Sequence, residues 1–361
     1  MLTPISRTTD FDLRQKGVIV SGFPATVENP APGIFRHWLT LVGQSEHFHG
    51  IGRATFGAGK RTRLEIFKTS DQVIRRSGEP CIGNLPTGWQ PVQPVRIALQ
   101  GGGYRLWFWA HSPADGIVRY LAAESDDDRV YNVVDPHRPC LWHYCDRAAA
   151  LKLAGVDGLA WNAGNLSKRP HGEPRGKSAL VANDATTVYQ LPDGTFEIFT
   201  TAIKSVPKDS PSFIPWDNAA GFRRYIRRYT SRDGRNFEYG GTAVAWDRND
   251  PPYIQNYHLS VHYCADGSRL GLLGRYDVVA QTMDIELCTS PDGVTWQRSR
   301  KPLIQRAPDE MSVYTPCNPI FEENGKKRLF YSAFNYIHNG KYVIGGTKTG
   351  VLRSVLLDDI H

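Results

Sequence analysis

The chemistry available to this chain resides in acids set on loops and at the heads of apolar segments. Asp184 stands in "VANDATTVYQL", Glu310 in "APDEMSVYTP", Asp247 and Asp250 in "AWDRNDPPY", and Asp277 in "GRYDVVAQTMD". An ionised Asp at the head of an apolar strand needs partners or a task, and proton transfer is such a task. His258 and His111 supply groups that bond hydroxyls or shuttle protons. Trp216 and Asp217 lie in the Pro- and Ser-rich stretch 205–222, which is too long for a simple hairpin and of a kind that often carries function. Taken singly, each acid also reads as a solvated loop carboxylate or a strand cap. The cluster they form on one expected face is the stronger argument.

The elements that must bring these residues together are marked by a repeated turn. "CTSPDGVTWQ" places Ser290, Asp292, Gly293 and Trp296 at the offsets that Ser231, Asp233, Gly234 and Phe237 occupy in "YTSRDGRNFEY". A worn copy with Ser125, Asp127 and Tyr131 sits in "AAESDDDRVYNV", and fainter copies are read in "FKTSDQVIRR" and "GTKTGVLRSV". A second series runs in step: "YQLPDGTFEIFT", "HYCADGSRLGLL", "ALQGGGYRLWFWA" and "FEENGKKRLFYSA" each set a Gly-bearing turn between apolar, aromatic segments. Asp-Gly and Asn-Gly favour tight hairpins because both central residues need positive φ. The unit is strand, DG turn, strand, loop, strand, SxDG turn, strand. In its second turn Asp caps backbone N–H groups, Gly supplies positive φ and the aromatic anchors the fourth strand.

Five such units fit, at about 34–75, 90–137, 180–245, 253–305 and 314–356, with segment 1–33 packing on or closing the assembly. Four-stranded units at a fixed period predict an all-β chain, a single five-bladed β-propeller. The stretch 145–158 is the one convincing helical candidate, and 161–178 is a long polar connection. In a four-stranded blade the innermost strand starts at the end where strands two and three are joined, opposite the DG and SxDG turns. Counting back nine residues from Asp193, Asp266 and Asn324 reaches Asp184, Tyr257 and Thr315, the expected inner-strand starts.

Composition narrows the function. The 361 residues are 40% hydrophobic and 22% charged, a globular balance, and no run approaches the length of a membrane helix. The net charge of +7 is scattered rather than gathered in a stripe, which argues against a nucleic-acid partner. The 9 Trp and 16 Tyr suit either a β core or stacking on sugar rings. Six dispersed cysteines have no zinc spacing, so no metal or other cofactor is expected, and the N-terminal stretch lacks an apolar leader. Both point to a reducing, cytoplasmic setting unless a leader has been removed. Oligomeric state is not encoded in any of these features.

With its "TSPDGVTWQ" and "TSRDGRNFEY" turns, the chain from about residue 34 onward resembles the five-bladed β-propeller glycosidases: arabinanases and xylosidases, fructan hydrolases and mannoside phosphorylases. That resemblance implies three acids at inner-strand starts of successive blades, serving as base or nucleophile, orienting helper and proton donor. Carried over, Asp184 is the base or nucleophile, Glu310 the acid, and Asp250 or Asp277 the helper. Trp216 and His258 form sugar-binding walls, with Tyr257, Asp217 and His111 beside them. The first unit, "PGIFRHWLTLVG", departs from the pattern by offering Arg36 and His37 where those families carry an Asp. Cleaving a glycosidic bond takes one carboxylic acid to protonate the leaving oxygen and a second carboxylate to attack or to activate water. The expected activity is a hydrolase acting on a furanosyl or related polysaccharide. A phosphorylase with Arg36, His37, Arg223 and Arg224 around phosphate, a non-catalytic carbohydrate-binding propeller and a protein-interaction propeller are the alternatives.

Overall fold

The structure is a computed structural model that describes residues 6–12, 18–23, 25–43, 49–57, 60–69, 79–144, 146, 180–323 and 325–357. The helical candidate at 145–158 (apart from Asp146), the polar connection at 161–178 and most of "FKTSDQVIRR" lie outside the described residues.

Among the described residues every regular element is a β-strand. Strands β1 (Ser6–Phe11) and β2 (Val18–Ser21) precede a first meander of β3 (Val27–Ala31), β4 (Ile34–Gly43), β5 (His49–Gly57) and β6 (Lys60–Thr69). Short β7 (Cys81–Gly83) leads to a second: β8 (Gln90–Ala98), β9 (Tyr104–Ser112), β10 (Ile117–Ser125) and β11 (Val130–Val133). After β12 (Leu141–His143) and β13 (Val181–Ala182), the third is β14 (Thr187–Gln190), β15 (Phe196–Ser205), β16 (Phe222–Ser231) and β17 (Glu238–Val244). The fourth is β18 (Ile254–Tyr263), β19 (Arg269–Asp277), β20 (Thr282–Ser290) and β21 (Gln297–Pro302). In the fifth, β22 (Ser312–Tyr314) and β23 (Ile320–Glu323) both pair with β24 (Lys326–Phe334), which pairs with β25 (Gly350–Leu357).

Within each meander the pairing is antiparallel, as short hairpins require. Central strands such as β15 are buried on both faces, whereas the outer β21 alternates exposed and half-buried residues. Apolar clusters fill the spaces between successive meanders. Trp107, Phe196, Ile198 and Leu259 join the second, third and fourth, and Leu39, Phe35, Phe330 and Leu352 join the first to the fifth. Hydrogen bonds near the inner strands follow the same circuit. Thr26 Oγ1 accepts from Arg96 N (2.7 Å), Ala185 N donates to Gln93 Oε1 (3.1 Å), Thr187 Oγ1 donates to the Leu259 carbonyl (2.9 Å), Ser260 Oγ donates to the Thr315 carbonyl (3.1 Å), and Cys317 N donates to the Ala25 carbonyl (2.6 Å). The contacts therefore return to the meander where they began.

The repeated turns are built as the sequence leads one to expect. Asp292 Oδ1 accepts the N–H groups of Val294 (2.8 Å) and Thr295 (2.9 Å), Gly293 takes φ 74°, and Trp296 Nε1 bonds the Gly293 carbonyl at 3.0 Å. In the worn copy Asp128 stands at the glycine position and itself adopts φ 59°. Arg53 Nη1 (2.8 Å) and Arg96 Nη2 (3.0 Å) bind its carboxylate.

Three details differ from the sequence reading. Pairing of Val27 with His37 puts a strand ahead of residue 34, so "PGIFRHWLTLVG" forms the second strand of its meander rather than the first. The prolines of "VENPAPG" deprive this strand of an ordinary strand signal in the sequence. "GTKTGVLRSV" runs from the loop after β24 into β25 and is not a copy of the SxDG turn. The strand beside β25 is β1, paired Ser6 to Leu356, so no local turn was needed there.

Candidate functional site at the inner-strand kinks

Each inner strand is broken or bulged at the same end. The interruptions fall between β2 and β3, at Val92–Val95, between β13 and β14, at Asn256–Leu259, and between β22 and β23. A bulge spends one residue outside the ladder and re-aims the side chains beside it. Gln93 (φ 57°) and Ala185 (φ 55°) occupy left-handed backbone here, a conformation that costs a non-glycine residue about 1 kcal/mol or more. The bond from Ala185 N to Gln93 Oε1 holds these two kinks together. The side chains so presented include Phe23, Gln93, Asp184, Tyr257 and Tyr314. The Phe23 ring lies 4.5 Å from that of Tyr314 and 6.2 Å from that of Tyr257.

Asp184 sits among these groups while still reaching solvent in part. Its Oδ1 accepts from Asn183 Nδ2 (2.9 Å), and the Gln93 and Tyr257 side chains lie beside the carboxylate. Burial pushes its pKa up. The facing Arg224 charge and the hydrogen bonds offset this only in part, so the carboxyl holds its proton to higher pH than an ordinary Asp.

A second carboxylate lies in the loop between β15 and β16. Asp217 Oδ2 accepts from Arg224 Nη1 at 2.8 Å, and its Oδ1 from Tyr276 OH at 2.9 Å. Burial raises its pKa, but Arg224 and Tyr276 outweigh this and hold it below the usual carboxylate range. Arg224 also bonds Gln255 Oε1 (2.7 Å) and Asn218 Oδ1 (2.5 Å) and stacks over the Tyr257 (5.2 Å) and Tyr276 (5.1 Å) rings. His338, from the loop after β24, completes the group, 3.3 Å from Tyr257 OH and 3.2 Å from Tyr314 OH. Burial and Arg224 lower its pKa to about 3, so the ring is neutral.

The other candidates are engaged elsewhere. Glu310 is buried, accepting from Arg353 Nη1 (2.7 Å), Tyr331 OH (2.8 Å) and the Ala307 N–H (2.7 Å), so its acceptors serve the fifth meander. Asp250 is clamped by Arg298 (2.7 Å) and Arg300 (2.9 Å) on the outer β21, and Asp247 pairs with Arg300. Asp277 caps the β19–β20 turn through the N–H groups of Val279 and Ala280, both at 2.9 Å. Arg36 faces Glu28 (3.7 Å) and Asp128 (3.5 Å), at the end where the repeated turns lie. His37 is a fully buried ring between Phe56 and Phe330, and both its nitrogens lack partners. His258 is equally buried, with Nε2 at 3.1 Å from Thr315 Oγ1 and a pKa lowered by burial to about 3. It lies beneath the site and packs on Gly274, where a Cβ would come within 2.1 Å of its Nδ1. His111 is the penultimate residue of β9, near His143, whose pKa burial lowers to about 3. Trp216 is 48% exposed at the rim, its Nε1 donating to the Val279 carbonyl (3.4 Å).

The kinks therefore bring Asp184, Tyr257, Asp217 and Arg224 together and leave Glu310, Asp250 and Asp277 out. Gln93, Tyr276, Tyr314 and His338 escaped the sequence reading. His338 lies in a loop joining second and third strands, the rule that pointed to Asp277, so it was within reach. Gln93 carries no local signal, because its kink depends on Ala185 in the next meander. Among the described residues no group of three His, Cys, Asp or Glu side chains could hold a metal ion, and no helix is long and apolar enough to cross a membrane.

No family model and no curated protein sequence matches the chain. Solved structures do resemble it. A glycoside hydrolase aligns over 96% of this chain and 88% of its own, with 11% identity and a TM-score of 0.54. Zg3597, a family 117 glycoside hydrolase from the marine bacterium Zobellia galactanivorans, aligns over 99% and 91%, with 12% identity and a TM-score of 0.52. BT0996 in an RGII complex aligns over 97% and 90%, with 11% identity and a TM-score of 0.54. The described residues are all-β, and the resemblance of the chain to the propeller glycosidases holds at the level of the fold.

Proposed function

We propose that the five meanders are the blades of a five-bladed β-propeller, closed by β1, and that the mouth at the inner-strand kinks is a carbohydrate-cleaving active site. The reading is a glycoside hydrolase acting on a polysaccharide or oligosaccharide, furanosyl or related, of the arabinan type. One observation carries it: Asp184 is presented by a left-handed kink, reaches solvent, and has a raised proton affinity. A carboxyl that keeps its proton suits protonation of a leaving oxygen, which revises its role from base to acid. Asp217 is the ionised second carboxylate of the two-carboxylate scheme. Trp216, at the rim, offers an indole face to a sugar ring.

The engagement of Asp217 with Arg224 and Tyr276 favours a second reading. A carboxylate so tied is a weak base. A glycoside phosphorylase needs one proton donor and lets inorganic phosphate attack in place of water. The test is a panel of polysaccharides and aryl glycosides, with and without phosphate, on the wild type and Asp184→Asn. Turnover independent of phosphate supports the hydrolase and phosphate-dependent turnover the phosphorylase. Activity that survives the substitution removes Asp184 from the mechanism, and glycan binding without turnover in either protein makes this a binding propeller.

A further inference from the structure

Asp184 sits where the third inner strand leaves its ladder, and three consecutive backbone groups there are held from outside that strand. Asn183 N donates to the Thr201 carbonyl (2.8 Å), the Asp184 carbonyl accepts from Thr200 Oγ1 (3.2 Å), and Ala185 N donates to Gln93 Oε1 (3.1 Å). Ala185 is left-handed at φ 55°, a strain that persists only while its surroundings over-determine it. Buried hydroxyls serve other kinks as well: Thr40 Oγ1 accepts from Gln93 N (2.7 Å), and Ser332 Oγ accepts from Gly22 N (2.8 Å).

The hydroxyl on the Asp184 carbonyl ends a chain whose protons these contacts place in one order. Trp109 Nε1 only donates, so Thr186 Oγ1, 3.2 Å away, accepts from it. A carbonyl only accepts, so the Thr200 proton goes to Asp184. The Thr186 proton then fills the 2.6 Å contact between the two hydroxyls. Trp109, Thr186 and Thr200 are fully buried, where an unmade hydrogen bond is costly and successive bonds strengthen one another.

We propose that Thr200, set by Trp109 through Thr186, is a positioning residue that holds the Asp184 carboxyl in its partly buried place at the mouth by fixing the carbonyl of the same residue. Without this bond the carbonyl loses its donor, the strained kink relaxes, and the carboxyl turns toward water. The inference rests on the reading of Asp184 as the proton-transferring group, but its test needs no substrate.

The test follows the Asp184 carboxyl in protein labelled with 13C-aspartate. Valine keeps the branched shape of threonine and drops its hydroxyl. In Thr200→Val the carboxyl should therefore titrate at lower pH than in the wild type, toward the ordinary Asp value of about 3.9. Thr200→Ser, which keeps the hydroxyl, should titrate as the wild type does. Arg224 of β16, Tyr257 of β18 and Tyr314 of β22, the charged and titratable groups around Asp184, are the same in each variant, so the shift reads movement of the carboxyl. Ser332→Ala removes a buried hydroxyl from the kink of the first meander and should leave the Asp184 titration unchanged. A titration that stays put or moves up in Thr200→Val, that serine fails to preserve, or that Ser332→Ala shifts equally, overturns the proposal. A wild-type measurement needs no variant to fold: the Thr200 hydroxyl proton should exchange with water slowly enough to give its own resonance, and one merged with water overturns the proposal too. A protein that cleaves no glycoside can still pass this test, and an active glycosidase can fail it.

Discussion

At the end of the strands that carries the repeated turns, polar groups meet partners supplied close by in the sequence. Asp292 takes two turn N–H groups, and Ser290 Oγ accepts from Gly293 N at 2.8 Å. Neighbouring meanders lock these turns: Trp107 Nε1 reaches the Gly234 carbonyl at 2.9 Å, and Arg105 bonds the Asp233 carbonyl. At the opposite end the inner strands leave their ladders, Gln93 and Ala185 adopt left-handed backbone, and the Nε of Arg224 is buried without a partner. The turn end has left-handed backbone of its own at Asp128, but there the carboxylates are ionised and bound by turn N–H groups or by arginines, whereas the other end holds a carboxylate with raised proton affinity beside the Gln93 and Ala185 kinks. Function is drawn to the second kind of region, because a fully satisfied group has nothing left to offer a ligand.

The largest expected effect tests the reactive side of that comparison. Asp184→Asn should lower turnover by about 10²–10⁴-fold, the scale of a lost general acid, with no loss of thermal stability. A melting temperature that drops with the activity would make Asp184 a structural residue like those of the turns. Next in size is the buried pair beneath it. Arg224→Leu leaves the Asp217 charge buried and should cost about 3–5 kcal/mol in chemical denaturation. Adding Asp217→Asn should restore much of that loss. If the double variant is as unstable as the single one, the pair is not what anchors the loop.

The turn end was legible because its cause is local. Ser-x-Asp-Gly sets its own hydrogen bonds within four residues, and tight hairpins fix the nine-residue count that reaches Asp184 and Tyr257. The departures have nonlocal causes. Glu310 finds Arg353 forty-three residues on, and Arg7 of β1 approaches it at 3.7 Å from the far end of the sequence. The β3 strand is hidden by its prolines, and β1 finds its place only by meeting β25. Asp217 was read as a binding residue from its long loop, but its ion pair to Arg224 is a product of three-dimensional contact.

A smaller effect probes the turn end. A Cβ on Gly293 would fall 1.1 Å from Arg269 Nη1 in a backbone with φ 74°. Gly293→Ala should therefore displace Arg269 from Glu197, now 3.1 Å away, and cost about 1–3 kcal/mol. Turnover per folded molecule should not change. A fall in turnover at constant folded fraction would mean that the two ends are coupled.

The smallest effect separates the ends by the sign of their pH dependence. Turn N–H groups of Thr295 and Val294 hold the Asp292 pKa below that of an unfolded Asp, near 3.9. Its contribution is complete above that value and is lost as pH falls through the folded pKa. Asp184 runs the other way. Burial raises its pKa, so its favourable contribution is complete below the unfolded value and is lost as pH rises through the raised one. Asn cannot ionise, so the stability of Asp184→Asn relative to wild type should grow as pH rises above about 4, whereas the same comparison for Asp292→Asn should move against the variant as pH rises toward about 4 and stay level above it. Denaturation midpoints from about pH 2 to neutrality read both differences. Parallel pH profiles for the two variants would show that the mouth treats its carboxylate no differently from a turn.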